Sequence, residues 1–272
     1  MKISSVQVIY FSPTGGTKKL ALKLASSVAD KLGVPLNEVR LTLPEARQRY
    51  YDFSSEDLVI LACPTFAGRV PNKIAPDLQR ILHFDGSPAV ALSSYGNRSY
   101  GTAPQELISI LNGAGAVPFA AGAFVCRHSF DVSIAKGRPD RQDRAELESF
   151  AVKIAGIVSE AEGVSDLKRL EGEAGEYYRP LKEDGTPAVF LKAKPLTHME
   201  HCYKCGLCVK VCPMGSIEPD FVTVSGICIK CQACIHSCPE KAKYFDDPDF
   251  LSHVRMLRRE YGVERAENKI FL

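Results

Sequence analysis

Eight of the ten cysteines fall between residues 202 and 238, in two runs of one form: "CYKCGLCVKVCP" at 202–213 and "CIKCQACIHSCP" at 228–239. Each reads C-x-x-C-x-x-C-x-x-x-C-P. Thiolate is a soft, electron-rich ligand that suits iron–sulfur clusters and zinc. At this spacing three thiolates on one tight loop can face a single cubic cluster, while the fourth points away and is free for another centre. Pro213 and Pro239 stop the chain after each fourth cysteine, because proline neither donates a backbone hydrogen bond nor extends a helix. Gly206 and Gly215 give the chain room to turn. Zinc also uses C-x-x-C pairs, but two identical four-membered runs, each closed by Cys-Pro, favour iron and sulfide. Such clusters carry single electrons or serve only to hold the fold.

Residues 198–245 resemble the bacterial two-cluster ferredoxins, in which the fourth cysteine of each run ligates the other cluster. Carried over position by position, the resemblance implies one [4Fe-4S] cluster on Cys202, Cys205, Cys208 and Cys238, and another on Cys228, Cys231, Cys234 and Cys212. Between the runs "FVTVSG" (221–226) alternates apolar and polar positions, which predicts a small strand. Cys63 and Cys126 stand apart and read as buried structural thiols.

A second chemical grouping lies near the beginning. "SPTGGT" (12–17) sets the hydroxyls of Ser12, Thr14 and Thr17 and the glycines Gly15 and Gly16 ahead of a helical pattern. A helix amino terminus offers unpaired amides and partial positive charge, which suits a phosphate, although an ordinary turn and cap uses the same residue types. The loop lacks the lysine of the G-x-x-x-x-G-K-[ST] pattern, so ATP or GTP is not indicated. Two further stretches, "PTFAGRVP" (64–71) and "SYGNRSYG" (94–101), supply Pro64, Thr65, Phe66, Ala67 and Gly68, then Ser94, Tyr95, Gly96, Asn97, Tyr100 and Gly101. A flat isoalloxazine ring needs this mixture: Phe66, Tyr95 or Tyr100 can stack on it, and backbone groups can bond its polar edge. The longer stretch "CRHSFDVSIAKGRPDRQD" (126–143) could cover the ring through Arg127 or His128 or simply lead into the last helix, and a solvated loop is the expectation.

What must position these residues is an α/β layer. Short apolar strands at 5–11, 38–43, 57–63, 87–94 and 116–125 alternate with helical segments, the first marked by Leu20, Leu24, Val28 and Leu32 and the later ones near 72–83, 101–113 and 140–160. That alternation predicts a five-stranded, doubly wound parallel sheet covered on both faces. In such sheets ligands sit beyond the carboxyl ends of the strands where strand order reverses, so the loops after strands one, three and four should converge. The expected domains are 1–162 for this unit, 163–197 for a charged, Gly- and Pro-punctuated connector, 198–245 for the cysteine unit, and 246–272 for a C-terminal helix (250–262) and tail.

"YFSPTGGT", "PTFAGRVP" and "SYGNRSYG", in this order, look like the three FMN-binding loops of flavodoxins. With the cysteine runs attached, the whole chain resembles the fused flavodoxin and ferredoxin proteins of anaerobic bacteria and archaea, also called EFR1-type ferredoxins. The resemblance implies FMN, its phosphate in the first loop and its ring between the other two. With no tryptophan in the chain, stacking falls to Phe or Tyr. It also implies electron transfer between FMN, two [4Fe-4S] clusters and an external redox partner, either a protein or a small electron acceptor. Two other readings stay open: an FMN-dependent reductase of a small acceptor fed by the clusters, and a redox sensor or scaffold whose flavodoxin-like part binds no flavin.

The composition fits an ordinary globular protein: 272 residues, 45% apolar, 24% charged and net charge +2. That balance argues against a nucleic-acid partner. No stretch approaches the roughly 18–20 apolar residues of a membrane span, and the start lacks the apolar core of a signal peptide. A cytoplasmic protein is expected, with a homodimer as one form of assembly.

Overall fold

The structure, a computed structural model, describes residues 1–272. In chain order the first unit comprises β1 (Ser5–Tyr10), α1 (Gly16–Leu32), β2 (Leu36–Arg40), β3 (Tyr51–Phe53), β4 (Asp57–Pro64), α2 (Ala75–Ile81), β5 (Leu82–Phe84), β6 (Pro88–Tyr95), α3 (Ala103–Gly113), β7 (Val117–Val125) and α4 (Arg141–Glu160). There follow β8 (Leu196–Thr197), α5 (Leu207–Lys210), α6 (Ala233–His236), β9 (Lys243–Tyr244), α7 (Pro248–Tyr261) and β10 (Lys269–Phe271).

β6 and β7 are buried along their whole length, which is why their sequences are near-continuous apolar runs rather than alternating ones. The main sheet runs β2-β1-β4-β6-β7-β10. Its first five strands pair in parallel, and by order of appearance they follow the 2-1-3-4-5 sequence of the flavodoxin-like doubly wound fold. Strand order reverses between β1 and β4, so the loops that leave these two strands flank the switch point. Leu20, Leu24 and Val28 of α1 and Phe150 and Ile154 of α4 cover one face with Val6, Val8 and Phe124. Leu78 of α2 and Leu107 and Leu111 of α3 cover the other with Ile9, Phe11 and Leu61.

The expected tail is instead part of this sheet. β10 pairs antiparallel with β7, setting Lys269 opposite Ala123 and Phe271 opposite Ala121. It supplies backbone partners to an edge that the buried strand β7 would otherwise leave open. The sheet therefore has six strands rather than five.

The connector is not a free tether. The Tyr177 hydroxyl donates to Val70 O at 2.9 Å, and Leu170 N donates to Pro118 O at 2.7 Å. The guanidinium groups of Arg69 and Arg98 lie 4.3 and 3.8 Å from the ring centres of Tyr177 and Tyr178. A Cβ on Gly172 would overlap Gln105 O, so the strap lies flush on α3.

In the cysteine unit the repeat extends to the backbone. Lys204 and Lys230 (φ 60° and 55°), Gly206 and Gln232 (76° and 67°), and Gly215 and Lys241 (58° and 52°) adopt the left-handed region at matching places. The helices α5 and α6 carry Cys208 and Cys234 at the same turn. "FVTVSG" forms no strand; it makes a single bridge, Ile217 to Val224. Asp220 accepts hydrogen bonds from Val222 N and Thr223 N and bends the segment before alternation can extend it.

Candidate functional site

The three N-terminal loops converge. One cavity is walled by Pro13, Thr14, Gly16 and Thr17 from the first, Pro64, Thr65 and Phe66 from the second, and Ser94, Tyr95 and Gly96 from the third. At its floor the Thr17 and Ser94 hydroxyls are 2.7 Å apart and tie the first and third loops. Gly15 takes φ 84° to open α1, and the Ser12 hydroxyl accepts from Lys18 N at 2.9 Å. The remaining amides of the first helical turn have no partner within the helix. A Cβ on Gly16 would sit 3.1 Å from Cys126 Sγ, so glycine lets the loop pack here without displacing that thiol. The Thr65 hydroxyl is buried with no hydrogen-bond partner. Unpaired first-turn amides, an orphaned hydroxyl and the half-buried ring of Phe66 are the donor set and flat surface that a phosphate-bearing aromatic cofactor requires.

Other predicted residues of this group face elsewhere. The Tyr95 hydroxyl donates to Glu267 O, and Tyr100 packs edge-on against Tyr95 and Phe271, with ring centres 5.6 and 6.3 Å away. Asn97, at φ 69°, donates to Tyr261 O and Glu264 O and accepts from Ala266 N. These three side chains hold the C-terminal segment; Tyr95 still contributes to the cavity wall beside Phe66, whereas Asn97 and Tyr100 do not. Ala67, Gly68 and Gly101 also lie outside the cavity wall. Ala67 O accepts from Tyr178 N and Gly68 O from Thr102 N, so this side of the loops is joined to the strap and to α3. A separate hollow lined by Tyr10, Lys18, Arg40 and Arg49 shares only Ser12 with the predicted set.

The stretch 126–139 is only partly solvated: Arg127, Val132, Ser133, Lys136 and Gly137 are exposed, while its first four residues wall the cavity. Cys126, Arg127, His128 and Ser129 complete the cavity wall. Cys126 N donates to Tyr95 O, Arg127 N to Arg138 O and His128 N to Ile134 O, so the segment is folded back on itself. His128 lies directly against Gly96, where a Cβ would overlap its ring. Its Nδ1 accepts from Phe130 N at 3.0 Å, leaving Nε2 as the protonated ring nitrogen. Burial, with help from His253 and Arg98, lowers its pKa to about 4. Burial also pushes the Cys126 thiol up to about 11 and the Cys63 thiol well up, as expected for structural thiols.

The cysteine runs form a second cavity. Cys212 of the first run lines it together with Cys228, Cys231 and Cys234 of the second, among Met214, Ile217, Val224, Ile227, Ile229 and Phe245. The four thiols surround a space; no three acidic, His or Cys side chains converge tightly enough for a single ion. Burial pushes the Cys234 thiol up to about 12 and raises that of Cys231, so thiolate there calls for a metal cation to balance it. The fourth cysteine of each run accepts a backbone hydrogen bond from the residue four places on: Ser216 N to Cys212 Sγ at 3.3 Å and Ala242 N to Cys238 Sγ at 3.2 Å. Of the other set, burial raises the pKa of the Cys208 thiol, and a hydrogen bond with Cys205 raises that of the Tyr203 hydroxyl. Cys205 is exposed, whereas Cys231 and Cys234 are buried.

The two cavities meet. Cys231 lines the loop cavity as well as the thiol cavity. Two bonds hold them in register. His236 Nε2 and Ser129 O are 2.8 Å apart, and Arg47 Nη2 donates to Pro213 O, next to Cys212, at 2.6 Å. Sequence reasoning named neither Arg47 nor His236, because nothing local marks a residue whose partner is more than a hundred positions away.

Residues 195–218 match the 4Fe-4S binding domain family. No curated protein matches the chain. Among solved structures the chain is similar to rubredoxin:oxygen oxidoreductase of Desulfovibrio gigas, with 22% identity and a TM-score of 0.41, over 58% of this chain. It spans only 37% of that protein. A flavodoxin of Streptococcus pneumonia TIGR4 is similar at 19% identity and TM-score 0.40, over 56% of this chain and 99% of its own. An apo NADH:FMN oxidoreductase is similar at 17% identity and TM-score 0.42, over 61% of this chain and 95% of its own.

Proposed function

We propose that this chain is an electron-transfer protein of the fused flavodoxin–ferredoxin type, holding FMN in the loop cavity and two [4Fe-4S] clusters on the crossed cysteine sets. The observation that carries the reading is that Cys231 lines both cavities, so no third domain is needed to bridge them. When bound, the flavin exchanges electrons singly or in pairs and the clusters one at a time, and the chain's residues arrange that exchange.

The first-turn amides of α1 and Thr14 would receive the phosphate. Phe66 would offer a flat face and Thr65 a hydroxyl. His128 and Ser129 would exclude water above the cavity. Cys228, Cys231, Cys234 and Cys212 would hold the inner cluster, with Ser216 N donating to Cys212 Sγ. Cys202, Cys205, Cys208 and Cys238 would hold the outer one, where exposed Cys205 and Tyr203, 59% exposed, favour exchange with an external redox protein or small acceptor.

Anaerobic purification with metal, sulfide and flavin analysis tests this. The expected result is roughly eight iron and eight sulfide per chain, with acid-released FMN. Flash reduction should then give electron exchange between flavin and clusters at a rate independent of protein concentration. Zinc in place of iron, or a rate proportional to concentration, would overturn the proposal.

A further inference from the structure

A cleft adjoins the loop cavity and shares Thr14, Gly16, Cys126, Arg127, His128 and Ser129 with it. Its other polar walls are Lys19 and Lys23 of α1, Arg138, Arg144 of α4 and His236 of α6, and no carboxylate lines it. The chain as a whole balances 34 basic against 32 acidic residues, so a cleft of one sign is not a consequence of overall charge.

Some of these cations are occupied. Arg138 donates to Asp143 and to Ala266 O, Lys23 lies 3.5 Å from Glu148, and His236 meets Ser129 O. Lys19 and Arg127 enter no ion pair, and Arg144 reaches only Pro139 O at 3.3 Å. Lys19 and Lys23 are four residues apart on α1, about 6 Å along its axis. One phosphate on the first turn of α1 leaves part of the charge of Lys19, Arg127 and Arg144 unmatched, whereas two linked phosphates along the cleft can meet all three. Guanidinium forks such as those of Arg127 and Arg144 match phosphate oxygens in pairs.

We propose that this cleft binds the diphosphate of a dinucleotide whose remaining part extends toward the loop cavity. The diphosphate is that of a soluble nicotinamide dinucleotide, an assignment that rests on the proposed function, in which FMN keeps the loop cavity.

The test uses the full chain, purified anaerobically with its cofactors, and inorganic pyrophosphate as the calorimetric probe. The expected result is saturable binding of one equivalent, weakened at least tenfold in the Lys19→Gln/Arg144→Gln double variant, whose iron and flavin contents match the parent. Displacement by NADH or NADPH identifies the nucleotide. Absence of pyrophosphate binding, equal binding by the double variant, or binding only after the flavin is stripped would overturn the proposal. So would FAD in the acid extract, or no displacement by either nucleotide. Flavin content is read separately by absorbance, so loss of the flavin reading is distinguishable from loss of this one.

Discussion

His128 is the residue on which closure of the loop cavity turns. It rests on Gly96, accepts from Phe130 N, and is surrounded by the cation Arg98, by His253 and by the carboxylate of Asp131, which is itself paired with Arg258. Its pKa is about 4 in the folded chain against an ordinary 6.5. Between these values the unfolded or opened form binds more protons, so closure is strongest above about pH 6.5 and weakens as pH falls toward 4, by at most roughly 3 kcal/mol. Hydrogen-exchange protection at His128 and Ile134 should therefore drop between pH 7 and pH 5, and His128→Asn should flatten that dependence. Equal protection at both pH values would refute it. Residue type alone pointed to Thr14, Gly16, Thr17 and Phe66, which the fold brings to one cavity wall. It did not disclose that Tyr95, Asn97 and Tyr100 serve the C-terminal segment, because their partners lie about 170 residues downstream.

At the level of elements, the strands of the parallel sheet were legible to within three residues, the worst being the end of β2, since each is a short apolar run between turn-forming residues. β10 was not legible: three residues, Lys-Ile-Phe, carry no period, and their strand character comes from the open edge of β7. The cysteine runs were legible for the opposite reason, because their spacing itself sets the geometry. Cys212 sits on the first run yet lines the cavity of the second. Cys212→Ser should accordingly lower iron from roughly eight to roughly four per chain, and the retained cluster should be the outer one. Equal loss of both clusters would count against crossed ligation.

Across the whole molecule, Arg47 joins the units. From a 3-10 turn at Pro44–Gln48 it donates to Leu41 O, Thr42 O, Asp77 and Pro213 O, and it is only 5% exposed. Arg47→Met removes the charge and strands these acceptors, which should cost about 3 kcal/mol. Chemical unfolding followed at the cluster absorbance measures it, and an unchanged midpoint would contradict the role. β10 has a further consequence, for biosynthesis. Its residues follow both cysteine runs in the chain, while β7 precedes them. At about 5–20 residues per second on the ribosome, the edge of β7 waits on the order of ten seconds for its partner. During that interval the cysteines emerge while the loop cavity is not yet braced by the C-terminal segment, so delivery of the proposed cofactors would have its widest access before β10 seals the edge of β7.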